Sequence, residues 1–504
     1  MKKSGIIGLG ALAVQSIAAE QTFPNIILIY ADDLGYGDIS CNGTSSVQTP
    51  NIDRLAERGL NFSRAYASSA TCTPSRYSLL TGEYAWRKAG TGVLSGDAAL
   101  VIEPGRMTLP TMLKQAGYRT GVIGKWHLGL GSGAVDWNAD VKPGPNETGF
   151  DYSFLIPATG DRVPCVFVED RRVVGLDPAD PITVNYRTNF PGEPTGKNNP
   201  ELLKMKWSHG HDGSIVNGIS RIGFMKGGHA ARWVDEEIAD TLTAKAKKFI
   251  QDNRNGPFFL FFSAHDIHVP RAPHFRFAGK SGLGPRGDAI LQFDGCVGEL
   301  LHEIETLELT ENTLIILSSD NGPILDDGYV DDAAEKLGTH KPWGSMSGTK
   351  YSSFEAGTRV PLIVSWPGRI VPGTSEALMS QVDFLASLAA LVGVTHNPIV
   401  SPDSENHLDA LLGTSSVGRD WIVEHSFSLA LTSKDWKYIA PYDREIPDWL
   451  VKQKKIDPGL SSDAHLFDLK NDPYETHNVA SKWPERTEEM AGILQEIKDQ
   501  GGNL

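Results

Sequence analysis

A chain of 504 residues exceeds what a single hydrophobic core usually organises, so one large domain and a smaller one are expected. Its 40 % apolar content suits a globular protein, and its 52 glycines and 30 prolines point to many loops. With a formal charge of −15 and no basic run, the sequence excludes a nucleic-acid-binding surface. A polyanionic substrate would have to be drawn in by a local cationic pocket or a metal.

In chain order, the first segment reads as a secretory leader. Lys2 and Lys3 precede an apolar stretch over residues 6–14, and Ser16, Ile17 and Ala18 form a small-x-small cleavage site. We therefore expect a signal peptide over 1–19 and a bacterial protein exported to the periplasm or secreted. The apolar stretch is too short to cross a bilayer, no other segment is apolar enough, and no cysteine follows it to carry a lipid. Strands are predicted over 25–30, 120–123, 258–263, 313–318 and 361–365. Helices are predicted over 51–58, 109–116, 231–252, 288–307 and 382–392. This alternation predicts an α/β fold with a large, mostly parallel sheet flanked by helices. Residues 143–228, rich in Gly, Pro and Asn, read as long loops inserted on that sheet. From residue 396 the character changes. Short alternating segments at 421–424, 435–439 and 465–469 precede a helix at 485–498, which predicts a small antiparallel sheet with one helix. The expected division is a catalytic domain over 20–395 and a C-terminal subdomain over 396–504.

Polar residues burst from two strand ends, where open α/β sheets bind ligands. Asp32 and Asp33 follow the first strand, and Asp320 and Asn321 follow the strand ending at Ser318. Carboxylate and amide oxygens suit Ca²⁺ or Mg²⁺ and not zinc. Either run alone also reads as turn chemistry, and Asp38 is expected to cap a turn. Cys72 stands two residues before Pro74, with Gly82 as a stop, so it is placed at a helix start, where amides and the dipole favour an anion. A buried structural thiol and a thiolate nucleophile are its other readings. Four cysteines, Cys41, Cys72, Cys165 and Cys296, are not a disulfide framework in a chain this long, although they permit two bridges in an oxidising compartment.

The run Cys72, Thr73, Pro74, Ser75, Arg76, continued by Leu79, Thr81 and Gly82, resembles the signature of the type I sulfatases of the alkaline-phosphatase-like superfamily. The resemblance extends from about Pro24 to the C-terminal sheet. It implies that Cys72 is oxidised to formylglycine by a maturation enzyme, and that the hydrated aldehyde, a gem-diol, is the nucleophile. It further implies that Asp32, Asp33, Asp320 and Asn321 bind Ca²⁺, with the modified Cys72 completing the shell. Arg76, one helical turn after Cys72, would hold the formylglycine. The run 124–129 matches the family's Lys and His pair as Lys125 and His127. The run 263–270 places His268 in the site, with His265 either beside it or packed at the strand end. Residues 348–350 supply Lys350, ahead of the run from Glu355 to Pro361. In the implied mechanism the calcium, Lys125 and Lys350 neutralise the sulfuryl oxygens, His268 protonates the leaving oxygen, and His127 takes the proton of the second hydroxyl.

Substrate choice is expected from the inserted loops and the C-terminal region, with Asp161, Arg162, His209, His211 and His425 as candidates. The chain is similar to exported bacterial glycan sulfatases that act at chain ends, and within them to enzymes for 6-O-sulfated galactose or N-acetylgalactosamine. A sulfated oligosaccharide or polysaccharide fragment is thus the expected partner, with neither nucleic acid nor a membrane span. One rival is a phosphomonoester or phosphodiester hydrolase on the same scaffold, which calls for a Ser or Thr nucleophile and a two-metal site. The other is an inactive glycan-binding protein, which would be expected to lose Cys72, Lys125 or His127.

Overall fold

The computed structural model describes residues 23–500, and the expected leader lies outside them. Its centre is a ten-stranded mixed sheet. The strands, in chain order, are β1 (Asn25–Ala31), β2 (Gly59–Phe62), β3 (Arg119–Lys125), β4 (Tyr152–Ile156), β5 (Val168–Glu169), β6 (Arg172–Val173), β7 (Phe258–Ser263), β8 (Thr313–Ser319), β9 (Leu362–Ser365) and β10 (Gly373–Ser375). They lie in the order β10-β2-β9-β8-β1-β7-β3-β4-β5-β6. The five strands from β8 to β4 are parallel, and antiparallel pairs flank them.

The central strands are near-continuous apolar runs because both faces are covered. β1 and β7 are buried at every position. The longer helices of this part of the chain are α1 (Pro50–Glu57), α2 (Cys72–Thr81), α3 (Leu109–Gln115), α4 (Ile238–Asn253), α5 (Gly284–Thr306) and α6 (Phe384–Leu391). α4 starts later than the apolar pattern predicts, because residues Asp235–Glu237 form a separate 3-10 turn. α5 starts earlier, with Pro285 in its first turn. The segment read as loops also contains β4, a full member of the parallel sheet, paired with β3 from Gly121 to Lys125.

Register decides where the chemistry falls. Ala31 pairs with Ser319, Tyr30 with Ser263, and Ser263 with Gly124. Four parallel strands therefore end level with one another, and Asp32, Lys125, His265 and Asp320 leave the sheet along a single edge.

The C-terminal part holds a four-stranded antiparallel sheet, β11 (Ile422–His425), β12 (Leu429–Thr432), β13 (Trp436–Ile439) and β14 (His465–Asp468), followed by α7 (Pro484–Asp499). β12 was not anticipated; its four residues follow a Ser-Phe-Ser run that masks the alternation. Met490 and Leu494 of α7 pack on Leu431, Tyr438 and Leu466, and Tyr84 and Val382 from the larger part join the same cluster. Among the described residues all four cysteines are free, and no helix is long and apolar enough to cross a membrane.

Candidate active site

α2 is buried along its whole length, and Cys72 is its first residue. Thr71 is the extended residue before it, and Gly82 ends the helix with φ 65°, a left-handed conformation that glycine adopts without strain. Arg76 follows one turn after Cys72 and is almost fully buried. Its Nε and Nη2 donate to Asp320 Oδ2 at 3.0 and 2.8 Å, and its Nη1 reaches the Lys125 carbonyl at 3.2 Å and the Ser263 hydroxyl. The guanidinium thus ties the helix to the ends of three strands.

Three buried carboxylates face Cys72. Lys125 Nζ lies 2.6 Å from Asp32 Oδ2, and Lys350 Nζ lies 2.9 Å from Asp33 Oδ1. The Cys72 thiol points at Asp32 Oδ1 at 3.9 Å. Burial raises the Asp32 and Asp33 carboxyls above the usual range, and the neighbouring Asp320 adds to this in both. Asp320 is itself held low, because Arg76 and the two lysines outweigh its burial. Burial also pushes the Cys72 thiol up to about 12, against the pull of Lys125 and Lys350. An unmodified thiol there stays protonated at neutral pH, which argues against the thiolate reading.

The donor set fits a hard divalent cation. Ligand atoms from Asp32, Asp33, Cys72 and His268 all lie within 4.8 Å of one another. The Asn321 amide donates to Asp33 Oδ1 at 2.7 Å, while its own oxygen is buried without a partner. Buried carboxylates with raised proton affinity beside an unsatisfied amide oxygen are what a cation would relieve. Of the expected ligands, Asp320 is the one most committed elsewhere. One of its oxygens accepts from Arg76 and the other from the Asp33 amide at 3.2 Å.

Two histidines present free ring nitrogens. His127 has φ 53°, a conformation costly for a non-glycine residue and typical of constrained functional positions. Its Nε2 donates to the Leu94 carbonyl at 2.9 Å, which leaves Nδ1 buried and unpartnered. The Thr73 hydroxyl fixes its backbone carbonyl at 2.9 Å and so couples the residue to α2. His268 donates through Nδ1 to the Val269 carbonyl at 2.7 Å, and its Nε2 stands 3.8 Å from both Asp33 and Asp327. Burial, followed by nearby lysines, holds both imidazoles well below their ordinary pKa. His265 packs behind, its ring 6.2 Å from that of His268 and against Gly160, where a Cβ would lie 2.4 Å from the imidazole.

A cavity of about 450 Å³ opens over this centre, lined by Cys72, His127, His268 and Lys350 together with all five candidate sugar-binding residues, Asp161, Arg162, His209, His211 and His425. Asp161 accepts from His211 Nε2 at 2.9 Å and from Arg162 at 2.9 Å. His211 in turn depends on Gly328, where a Cβ would collide with the ring. His209 keeps Nε2, and His425 keeps Nδ1, buried without a partner. Sequence reasoning missed Asp327, which lies 3.0 Å from Lys350 Nζ and pairs with Lys454. It also missed Tyr351, Phe427 and Trp449, which form an aromatic wall. The Asp-Asp-Gly run at 326–328 reads as a turn, and nothing local distinguishes Lys454 from the surface lysines around it. Asp38 does more than cap a turn: besides accepting from the Gly35 amide, it is buried between Arg286 and His340.

A nucleophile position at a helix start, facing carboxylates, lysines and two free imidazole nitrogens at the edge of a parallel sheet, defines a hydrolase of anionic esters. Residues 24–394 match the sulfatase family model, and the chain belongs to that family. It is a sulfuric ester hydrolase. It is 52% identical over 480 residues to an N-acetylgalactosamine-6-O-sulfatase of Bacteroides thetaiotaomicron, covering 94% of this chain and 93% of that protein. Human arylsulfatase A is 31% identical over 94% of this chain and 87% of its own. Among solved structures, a sulfatase from a study of glycosaminoglycan metabolism by Bacteroides thetaiotaomicron superimposes with a TM-score of 0.93 at 51% identity, covering 95% of this chain and 100% of that one.

Proposed function

We propose that this sulfatase removes the 6-O-sulfate from galactose or N-acetylgalactosamine at the end of a sulfated glycan. The observation that carries the sugar reading is the single cavity in which the reactive residues and five polar side chains from separate loops converge. The 52% identity to an N-acetylgalactosamine-6-O-sulfatase supports the choice of sugar. The leader-like start of the sequence supports export.

When present, a calcium ion held by Asp32, Asp33, Asp320 and Asn321 would polarise the sulfuryl group, and formylglycine at position 72, installed by a maturation enzyme, would supply the attacking hydroxyl. The remaining work falls to the chain's own residues. Lys125 and Lys350, fixed by Asp32 and Asp33, bind the sulfuryl oxygens and offset the charge that grows as the S–O bond breaks. Arg76 fixes Asp320 and, one helical turn after residue 72, anchors the helix that presents it. His268 delivers a proton from Nε2 to the departing sugar oxygen. In the free site burial, followed by Lys350 and Lys125, holds its proton affinity low, and the anionic ester offsets the two lysines and so raises it. His127 accepts a proton at its unpartnered Nδ1, with Nε2 anchored on Leu94. Asp161, Arg162 and His211 form one hydrogen-bonded unit that orients sugar hydroxyls, while His209 and His425 offer free nitrogens to the same ring.

The test joins mass analysis of the Cys72 peptide to sulfate release from a panel of sulfated saccharides. Conversion of the thiol to an aldehyde and release from 6-O-sulfated galacto-configured sugars are expected. An unmodified thiol in fully active protein would refute the nucleophile, and no release from those sugars would refute the substrate. Cys72→Ala should fold normally and turn over nothing.

A further inference from the structure

A second hollow, of about 410 Å³, adjoins the reaction pocket. Lys454 lines both, and the chain passes between them at three places. Asp327, Lys350 and Lys454 face the reaction pocket, while their neighbours Asp326, Thr349 and Lys455 face the hollow. The boundary is therefore made by these three stretches of main chain, tied together on the pocket side by the Lys454–Asp327 and Lys350–Asp327 ion pairs.

The chemistry of the hollow differs from that of the pocket. Its walls include Trp343, which is half-buried, and Tyr474, which is 41% exposed. The Ser347 hydroxyl holds the Tyr474 backbone by donating to its carbonyl at 2.6 Å. Lys341 Nζ lies 6.0 Å from the Tyr474 ring centroid, and both Lys341 and Lys455 are exposed cations. The two acids in the wall have partners: Asp326 accepts from the Ser208 hydroxyl and the Gly328 amide, and Asp457 accepts from the Gly459 amide. Aromatic faces rimmed by free ammonium groups suit a pyranose ring that carries an anionic group. The main catalytic lysines are, by contrast, fully buried.

We infer that this hollow is a subsite for the sugar adjoining the sulfated residue, with Trp343 and Tyr474 as its stacking surface and Lys455 and Lys341 meeting a carboxylate or sulfate on that sugar. The inference rests on the glycan reading of the reaction pocket. It commits the enzyme to oligosaccharides over free monosaccharides, because a single sugar fills only the first compartment. Lys454, which lines both compartments, is the place where a chain leaving the first would enter the hollow.

The test compares kcat/KM on 6-O-sulfated N-acetylgalactosamine alone with that on a tetrasaccharide bearing this sugar at its non-reducing end, followed by a uronic acid. The wild-type protein should prefer the tetrasaccharide by about tenfold or more, the size of one well-packed aromatic contact. Trp343→Ala and Tyr474→Ala should abolish the preference while leaving the monosaccharide rate unchanged, which also certifies folding. Lys455→Ala should lower only the tetrasaccharide rate. No preference in the wild type, or a preference that survives both aromatic substitutions, would overturn the inference. If neither sugar is turned over, the failure belongs to the proposed substrate. Calorimetric titration of the desulfated tetrasaccharide then reads the hollow directly: binding weakened by Trp343→Ala supports it, and absent or unchanged binding overturns it.

Discussion

Lys437→Ala should be the most destabilising single change in the C-terminal sheet. Lys437 is fully buried on β13, with Nζ 2.8 Å from Glu424 Oε2 and 3.2 Å from Glu355 Oε1. Glu475 is also buried nearby, accepting the Glu355 amide at 2.8 Å through one oxygen while the other has no partner. One lysine thus serves three buried carboxyls, one of them from the 355–361 motif that leads back to the large sheet. Removing one partner of a buried pair costs about 3–5 kcal/mol. Two contacts break here, so the upper half of that range is expected at pH 8. The cost depends on pH, and its sign follows from the carboxyls. Burial alone would raise Glu355, and Lys437 with Arg359 overrides it to hold the group below its ordinary value. Glu424 and Glu475 are raised by burial despite Lys437. Without the lysine Glu355 keeps Arg359 and Tyr66 as partners, while the Glu424 and Glu475 values rise further above the unfolded ones. The penalty is then absent at low pH and grows as pH rises through them, by about 1.4 kcal/mol per pH unit for each proton held. Urea denaturation at pH 8 and pH 5.5 measures this. The variant should recover most of its deficit at the lower pH. A deficit below about 1 kcal/mol at pH 8, or one equal at both, would refute the reasoning.

Calcium should stabilise the protein in a concentration-dependent way, by about 2.7 kcal/mol at a hundredfold excess over its Kd, and a chelator should reverse the effect. Thermal unfolding of Asp33→Asn with and without calcium checks this independently of turnover, since that variant should lose most of the response. His268→Ala should slow release from a sugar by about 10²–10⁴-fold while affecting an aryl sulfate with an acidic phenol far less, because such a leaving group needs no proton. Equal losses on both substrates would remove His268 from the role of proton donor.

The strand-end carboxylates were legible because parallel strands that end level must deliver their next residues to one edge. Asp32 and Asp320 needed only strand assignments to be brought together, whereas Lys125 was read from the family resemblance and then found to leave the same edge. Cys72 was legible for a local reason, a helix start two residues before a proline and ahead of a glycine stop, and Arg76 came with the family signature one turn further on. The missed groups depend on long-range packing. Lys454 reaches Asp327 across 127 residues, and Lys437 meets Glu355 across 82. No periodicity encodes such pairings. β4 was hidden for a different reason, because a five-residue run broken by Ser153 and bounded by Asp151 and Pro157 looks the same in a loop-rich stretch whether or not a sheet edge is waiting for it.

The charge of the site bears on how an acidic protein attracts a sulfated substrate. Around the cavity, Arg76, Lys125, Lys350, Arg162 and Lys454 stand against Asp32, Asp33, Asp320, Asp327 and Asp161, five cations to five anions joined in ion pairs. Paired in this way they give no net pull on an anion, and the chain as a whole, at −15, repels one. A divalent ion among Asp32, Asp33 and Asn321 changes the balance to +2 at the point where the sulfuryl group must sit. It would also compete with Lys125 and Lys350 for the oxygens of Asp32 and Asp33 and so turn their ammonium groups toward the substrate. An ion held there would thus serve capture as well as bond breaking, by drawing Asp32 and Asp33 away from the two lysines that they pair.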